Sequence, residues 1–203
     1  MQSYPVTPRT RVRRHSERGS YDRELVHSIL DEGLVAHVGI STDHGPRVIP
    51  MMYARDGDML YLHGAPANHV LNRAASGAVV CVEVTLLDGL VLARSAFNHS
   101  MNYRTVVVYG QATLISDDTE KLHALDVLVR RITPDRADAV RAPSAAELAG
   151  TRVLALPLTE VSAKLRSGGP KDDAADLDWP VWSGVVPLTL VAGEPQPAAA
   201  DSV

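Results

Sequence analysis

Two stretches of this chain, AVVCVEVTL at 78–86 and RTVVVYGQATL at 104–114, are dense in β-branched residues and bounded by turn formers. Runs of that length and composition read as strands, so the fold has to be organised around a sheet. Aromatics are only 4% of the residues and Phe97 is the lone Phe, so Val, Leu, Ile and Ala must fill the core, a mixture that suits strands with a few helices. A chain of 203 residues buries such a core without staples.

Further period-two segments surround these strands. Residues 34–41 (LVAHVGIS) and 47–54 (RVIPMMYA) flank the turn-forming cluster at 42–46 and read as an antiparallel hairpin, followed by MLYLHG at 59–64. Segments 151–157 and 159–166 read as two more strands. Helical spacing marks three places. Ser20 caps a short amphipathic run that Gly33 stops, 66–76 (PANHVLNRAAS) is a second helix, and Asp117 with Glu120 opens the most regular one. About seven closely spaced strands with peripheral helices fit a small closed or nearly closed antiparallel barrel, a mainly β fold. Residues 1–19, with five Arg and no apolar period, read as an extended arm that orders only against something else. The body then spans 20–188, ending in an irregular wrap, and 189–203 reads as a disordered tail.

Several functions are disfavoured by composition and motif. The net charge of −4 argues against non-specific nucleic-acid binding, and no run approaches the eighteen or so apolar residues that span a membrane. The single Cys81 excludes an internal disulfide and any multi-thiolate metal site, and it sits mid-strand as an inert thiol. The basic start has no apolar stretch of a secretory signal, so the cytoplasm is the expected address. Neither GxGxxG nor GxxxxGK[ST] is present, which removes the two commonest nucleotide-binding loops. Eight histidines without an HExxH or a dense carboxylate set give no metal site.

Two regions carry candidate chemistry. His63 and Gly64 close a strand while Asn68 and His69 open a helix, so two imidazoles and unpaired backbone N–H groups converge where an anion could bind. A satisfied edge His63 and a merely capping Asn68 are the equally weighted bland alternative. The polar excursion RSAFNHSMNYR at 94–104 either is a solvated loop or lines a ligand pocket.

The combination RVIPMMYARDGDMLYLHGAPANH, CVEVTLLDGLVLARSAFNHSMNYRTVVVYGQA and WPVWSGVVPLT closely resembles the flavin-nucleotide-binding proteins of the pyridoxamine 5'-phosphate oxidase-like superfamily, on the branch with nitroimidazole reductases. The likeness runs from about Thr7 to Leu188. It implies an FMN-binding split β-barrel that works as a homodimer, with FMN at the subunit interface. Arg47, Val48, Ile49, Pro50 and Met51 would run along the isoalloxazine, their backbone facing its polar edge. His63, Gly64, Asn68 and His69 would lie by the ribityl phosphate or the ring, with further contacts from Arg104 and Thr105. Val70 stands where the relatives carry Lys, leaving Arg104, Arg73 or an arm Arg to meet the phosphate. The activity implied is oxidoreduction by hydride exchange at flavin N5 with a small nitro, pyridoxal-like or carbonyl substrate, His69 serving as general acid. The alternative is a flavin carrier, or a haem- or deazaflavin-binding barrel, without turnover of its own.

Overall fold

A strand that changes partners shapes the fold. In the computed structural model, which describes residues 2–198, β1 (Gly19–Ser20), α1 (Arg23–Glu32) and β2 (Val35–Thr42) precede β3 (Gly45–Asp56). Residues 45–52 of β3 pair with β2, and residues 53–56 pair with β4 (Met59–Gly64). The strand thus hands over between two sheets at Tyr53 and Ala54, both buried.

The chain continues through α2 (His69–Ala75), β5 (Val79–Leu92), β6 (Ser100–Gln111), β7 (Thr113–Leu114), α3 (Asp118–Ile132), α4 (Ala145–Ala149), β8 (Arg152–Pro157), β9 (Glu160–Arg166) and β10 (Gly184–Pro187). It divides into two compact units, one of residues 2–86 with 103–166, the other of 87–102 with 167–198. The sequence led us to expect one body over 20–188.

In the first unit the strand order is β1-β9-β6-β5-β2-β3-β4-β8-β7, with antiparallel pairing. The path starts at β1 and ends at β7 without returning on itself, so the barrel is split rather than closed. Its core holds Val38, Leu60, Leu62, Leu71, Val82, Val106, Leu154 and Leu156, all fully buried. Each such side chain contributes roughly 1.5–3 kcal/mol, so aliphatic burial carries the unit. Val26, Ile29 and Leu30 of α1 and Val70, Leu71 and Ala74 of α2 supply the covering apolar faces.

Three local expectations change. Asp22, not Ser20, caps α1 by accepting from the Leu25 N–H at 2.9 Å, because Ser20 is drawn into β1 opposite Ala163. Gly33 ends α1 at an ordinary φ of −69°, so it is not a left-handed stop. Its role is spatial: a Cβ there would lie 2.4 Å from Val84 Cγ1 and 2.9 Å from the Tyr53 hydroxyl. The hairpin turn is only Asp43 and His44, because Thr42 and Gly45 already pair, and Gly45 supplies the positive φ of 101°.

The arm is ordered on its own body. Tyr4 N–H donates to Tyr21 O at 2.8 Å, Ser3 bridges Asp22, and Tyr4 and Thr10 are each 2% exposed.

In the second unit β10 pairs with the end of β5, Gly184 to Pro187 opposite Leu92 to Gly89. The expected irregular wrap therefore closes in a strand. Residues 188–198 carry no helix or strand, and the remainder of the expected tail, 199–203, lies outside the described residues. Among the described residues no helix is long and apolar enough to cross a membrane.

Candidate functional site

The stretch Arg47–Met51 lies on the half of β3 that pairs only with β2. Among the described residues its other side is an open edge, a row of backbone N–H and C=O groups without strand partners. Pro46 and Pro50 are tolerated there because half of an edge strand's N–H groups have no ladder bond to make. Alternation sends Ile49 and Met51 against the core, while Val48 and Pro50 face outward, Val48 at 61% exposure. Arg47, near the strand's start, is exposed.

At the end of β4, His63 lies opposite Val153 and Gly64 opposite Arg152. The His63 ring is half-buried and its Nδ1 has no hydrogen-bond partner. Burial pushes its pKa below the ordinary imidazole value, which keeps the ring uncharged at neutral pH. An uncharged imidazole with a buried open nitrogen is a ready donor or acceptor for a polar ligand. Gly64 answers to packing, since a Cβ there would stand 2.8 Å from Leu71 Cδ1.

The first turn of α2 offers less to an anion than its sequence suggests. Asn68 Oδ1 accepts from the Val70 N–H at 3.0 Å and the Leu71 N–H at 3.2 Å, so the cap occupies the donors that a phosphate would use. His69 follows it, exposed.

Arg104 and Thr105 face opposite sides of β6, as neighbours in a strand must. The Arg104 guanidinium holds Glu32 at the end of α1, with Nη2 to Oε1 at 2.7 Å. The Thr105 hydroxyl lies 2.9 Å from Glu83 Oε1 and 3.0 Å from Val84 O. Glu83 also meets His37 Nδ1 at 3.3 Å, and His37 lies opposite Pro50. His37, Glu83 and Thr105 therefore form one polar row across the outward face of the sheet, with Pro50 in register beside His37.

Of the expected site residues, the structure joins Pro50 to Thr105 through this row, and His63 and Gly64 to Asn68 and His69 through one strand-to-helix junction. Arg104 is turned away from Thr105 toward α1. Glu83 was not among the expected residues. Its signal was a lone acid in an apolar strand matching a lone His in another, the signature of a cross-strand pair. Cys81 on the same face is half-buried, and burial raises its pKa, in keeping with an inert thiol. Among the described residues no group of three or more His, Cys, Asp or Glu is placed to hold a metal ion.

An open-edged split barrel with a half-buried imidazole at a strand-to-helix junction can be compared with known proteins. Residues 22–165 match the family described as pyridoxamine 5'-phosphate oxidase. The chain belongs to that family. No curated protein matches the chain. Among solved structures, the flavocytochrome Anf3 from Azotobacter vinelandii is 38% identical with a TM-score of 0.87, over 97% of this chain and 92% of that one. An FAD- and haem-binding protein from Mycobacterium smegmatis is also 38% identical, TM-score 0.86, over 92% and 93%. A candidate 5-nitroimidazole antibiotic resistance protein from Bacteroides thetaiotaomicron is 28% identical, TM-score 0.60, over 72% and 85%. The fold of this family member is the flavin-binding type of split barrel, as the sequence resemblance led us to expect.

Proposed function

We propose that this protein is a flavin-binding oxidoreductase that acts as a homodimer. The observation that carries the reading is the 38% identity, over more than nine tenths of the chain, to two proteins described as a flavocytochrome and as FAD- and haem-binding. The residues present suit a flavin: the open edge of β3 at Arg47–Met51 supplies backbone donors and acceptors for the polar rim of a ring system, and uncharged His63 supplies an open nitrogen. Between the FMN of the sequence resemblance and FAD, the description of the M. smegmatis protein favours FAD.

A bound flavin supplies hydride exchange, and the protein's part is to hold and orient the ring and keep water from it. We assign to His69, exposed at the start of α2, the role of giving a proton to a reduced nitro, pyridoxal-like or carbonyl substrate. His69→Asn preserves a hydrogen-bond donor but not an acid, so turnover should fall about 10²-fold with flavin content unchanged. A second copy is favoured by Val35, Val48 and Val79, which leave 48%, 61% and 46% of their surface exposed on the outward face.

The test is the identity of the released cofactor. Heating the purified full chain and separating the supernatant by chromatography and mass should yield FAD. FMN would restore the assignment first drawn from the sequence, and the absence of both flavins from protein refolded or purified with either in excess would overturn the reading.

A further inference from the structure

The first unit holds a second, smaller core on the face of the sheet turned away from the main one. Leu60, Leu62, Leu154 and Leu156 point into the main core, so the residues that alternate with them face the other way. There Ile115, Ala124 and Val153 are buried, with Tyr61, Leu125 and Ala155 packed against them. Beside this small core, between α3 and the strands, the surface opens into a cavity of about 450 Å³. That is the size of a small-molecule site. Its lining includes neither the open edge of β3 nor the junction of His63 with α2.

Met59, Leu114, Ile115 and Ala155 give the cavity apolar walls, while Tyr61, Glu120 and His123 bring polar groups to it. Alternation sets Met59 and Tyr61 on one face of β4, and a spacing of three sets Glu120 and His123 on one face of α3. The polar groups are positioned but not used up. His123 Nε2 lies 2.9 Å from Asp56 Oδ2, and its ring stands edge-on to Tyr61, with centroids 6.2 Å apart and planes at 87°. A carboxylate only accepts, so Nε2 carries the proton and the neutral ring keeps its lone pair on Nδ1. Among the described residues that Nδ1, the Tyr61 hydroxyl and the Glu120 carboxylate have no hydrogen-bond partner.

Charge decides the kind of guest. Glu120 lines the cavity and Asp56 stands paired with His123, whereas among the described residues neither Lys nor Arg lines it. Lys121, the next residue of the helix, is turned to the Leu148 carbonyl oxygen. Burial first, then the carboxylates of Asp56 and Glu120, raise the Tyr61 phenol above its usual pKa, so both negative charges bear on the same place. The start of α3 does not offset them for an anion. Asp117 already accepts from the Glu120 N–H at 2.9 Å, and Asp118 and Glu120 lie in the first turn against the helix dipole. Acceptors, a phenol ring and apolar walls together suit a cation with an apolar body.

We propose that this cavity binds an organic ammonium ion, with its N–H groups on Glu120 and His123 Nδ1 and its apolar part against Met59, Leu114 and Ala155. The site does not rest on the reading of the chain as a flavoprotein.

The test is calorimetric titration of the full-length protein with three probes that share one body, 2-phenylethylamine, 2-phenylethanol and phenylacetate, for wild type, Glu120→Gln and Glu120→Arg. Wild type should bind the amine about fivefold or more tighter than the alcohol, and phenylacetate more weakly than either. Glu120→Gln should remove the preference for the amine and leave the alcohol unchanged, and Glu120→Arg should place phenylacetate above the amine. Glu120 is exposed and its carboxylate holds no other described residue, so both variants should fold, which the melting temperature checks. Equal wild-type affinity for amine and alcohol would overturn the proposal. So would a Glu120→Gln protein that binds the amine as wild type does, because the amine would then sit elsewhere on the molecule. A protein that takes up no flavin but shows amine binding dependent on Glu120 would overturn the proposed function and leave this site standing.

Discussion

Replacing Tyr4 tests whether the arm belongs to the folded body. The Tyr4 ring is 2% exposed, its hydroxyl donates to Asp58 Oδ1 at 3.1 Å and lies 3.0 Å from His27 Nε2, and the Arg23 guanidinium stands 4.6 Å over its ring centre. Burial first, and the Asp58 carboxylate second, push the phenol above its usual pKa, so it remains a donor. Although burial acts to raise the Asp58 carboxyl, hydrogen bonds from Tyr4, Arg23 and His27 hold it below its usual range.

Tyr4→Phe deletes only the hydroxyl. Asp58 is half exposed and keeps Arg23, so water replaces the lost donor and the cost stays near 1 kcal/mol, roughly 2–4 °C in melting temperature for a chain of this size. Tyr4→Ala also removes the ring. About 150–250 Å² at ~25 cal/mol per Å² gives an upper bound of about 4–6 kcal/mol, reduced to ~3–5 by burial already present in the unfolded chain. The melting temperature should fall by on the order of 10 °C. If the body folds without its arm, the loss stops at the free energy of docking the arm, and the amides near Thr10 should then exchange faster along with those near Tyr4. Calorimetry with hydrogen exchange reads both. A Tyr4→Ala protein that melts within about 1 °C of wild type, with arm exchange unchanged, would refute the reasoning.

Val48→Asp places a charge on the most exposed apolar position of the outward face and should turn a dimer into a monomer by light scattering; an unchanged mass would remove that face from the interface. His63 is held below the usual imidazole pKa by burial, so the unfolded chain takes a proton where the folded chain does not. Its contribution is full above about pH 6.5 and is lost as pH falls toward the folded value, so His63→Gln should flatten the acid side of the melting profile, and parallel profiles would count against it. Gly64→Ala should cost about 1–3 kcal/mol through the 2.8 Å clash with Leu71 Cδ1, and a variant as stable as wild type would show that Leu71 yields freely.

Most strands were legible because their signal is local. Residues 59–64 were placed without error, and 151–157 and 159–166 to within a residue, since alternation and β-branched composition need no tertiary knowledge. What the arm docks on was not legible, for the opposite reason. Its long-range anchors are isolated pairs, Tyr4 with Asp58 54 residues away and Arg9 with Glu160 151 residues away, and isolated pairs leave no period in a sequence. Gly33 shows a subtler limit: a helix-ending glycine was expected for its conformational freedom, but only the neighbouring Val84 and Tyr53 side chains explain why no Cβ fits.

The site divides along the same line. His63, Asn68 and His69 were found together because they are neighbours on the chain, and a strand-to-helix junction keeps sequence neighbours close. Arg104 and Thr105 were grouped by the same proximity, but strand alternation separates adjacent side chains, sending Arg104 to Glu32 and Thr105 to Glu83. Thr105 and Pro50, 55 positions apart, are instead linked across four strands through His37 and Glu83. On a sheet, residues two apart on one strand and residues in register on neighbouring strands share a face. A functional row is therefore read from pairing, and pairing between β2, β5 and β6 is what a single sequence does not encode locally.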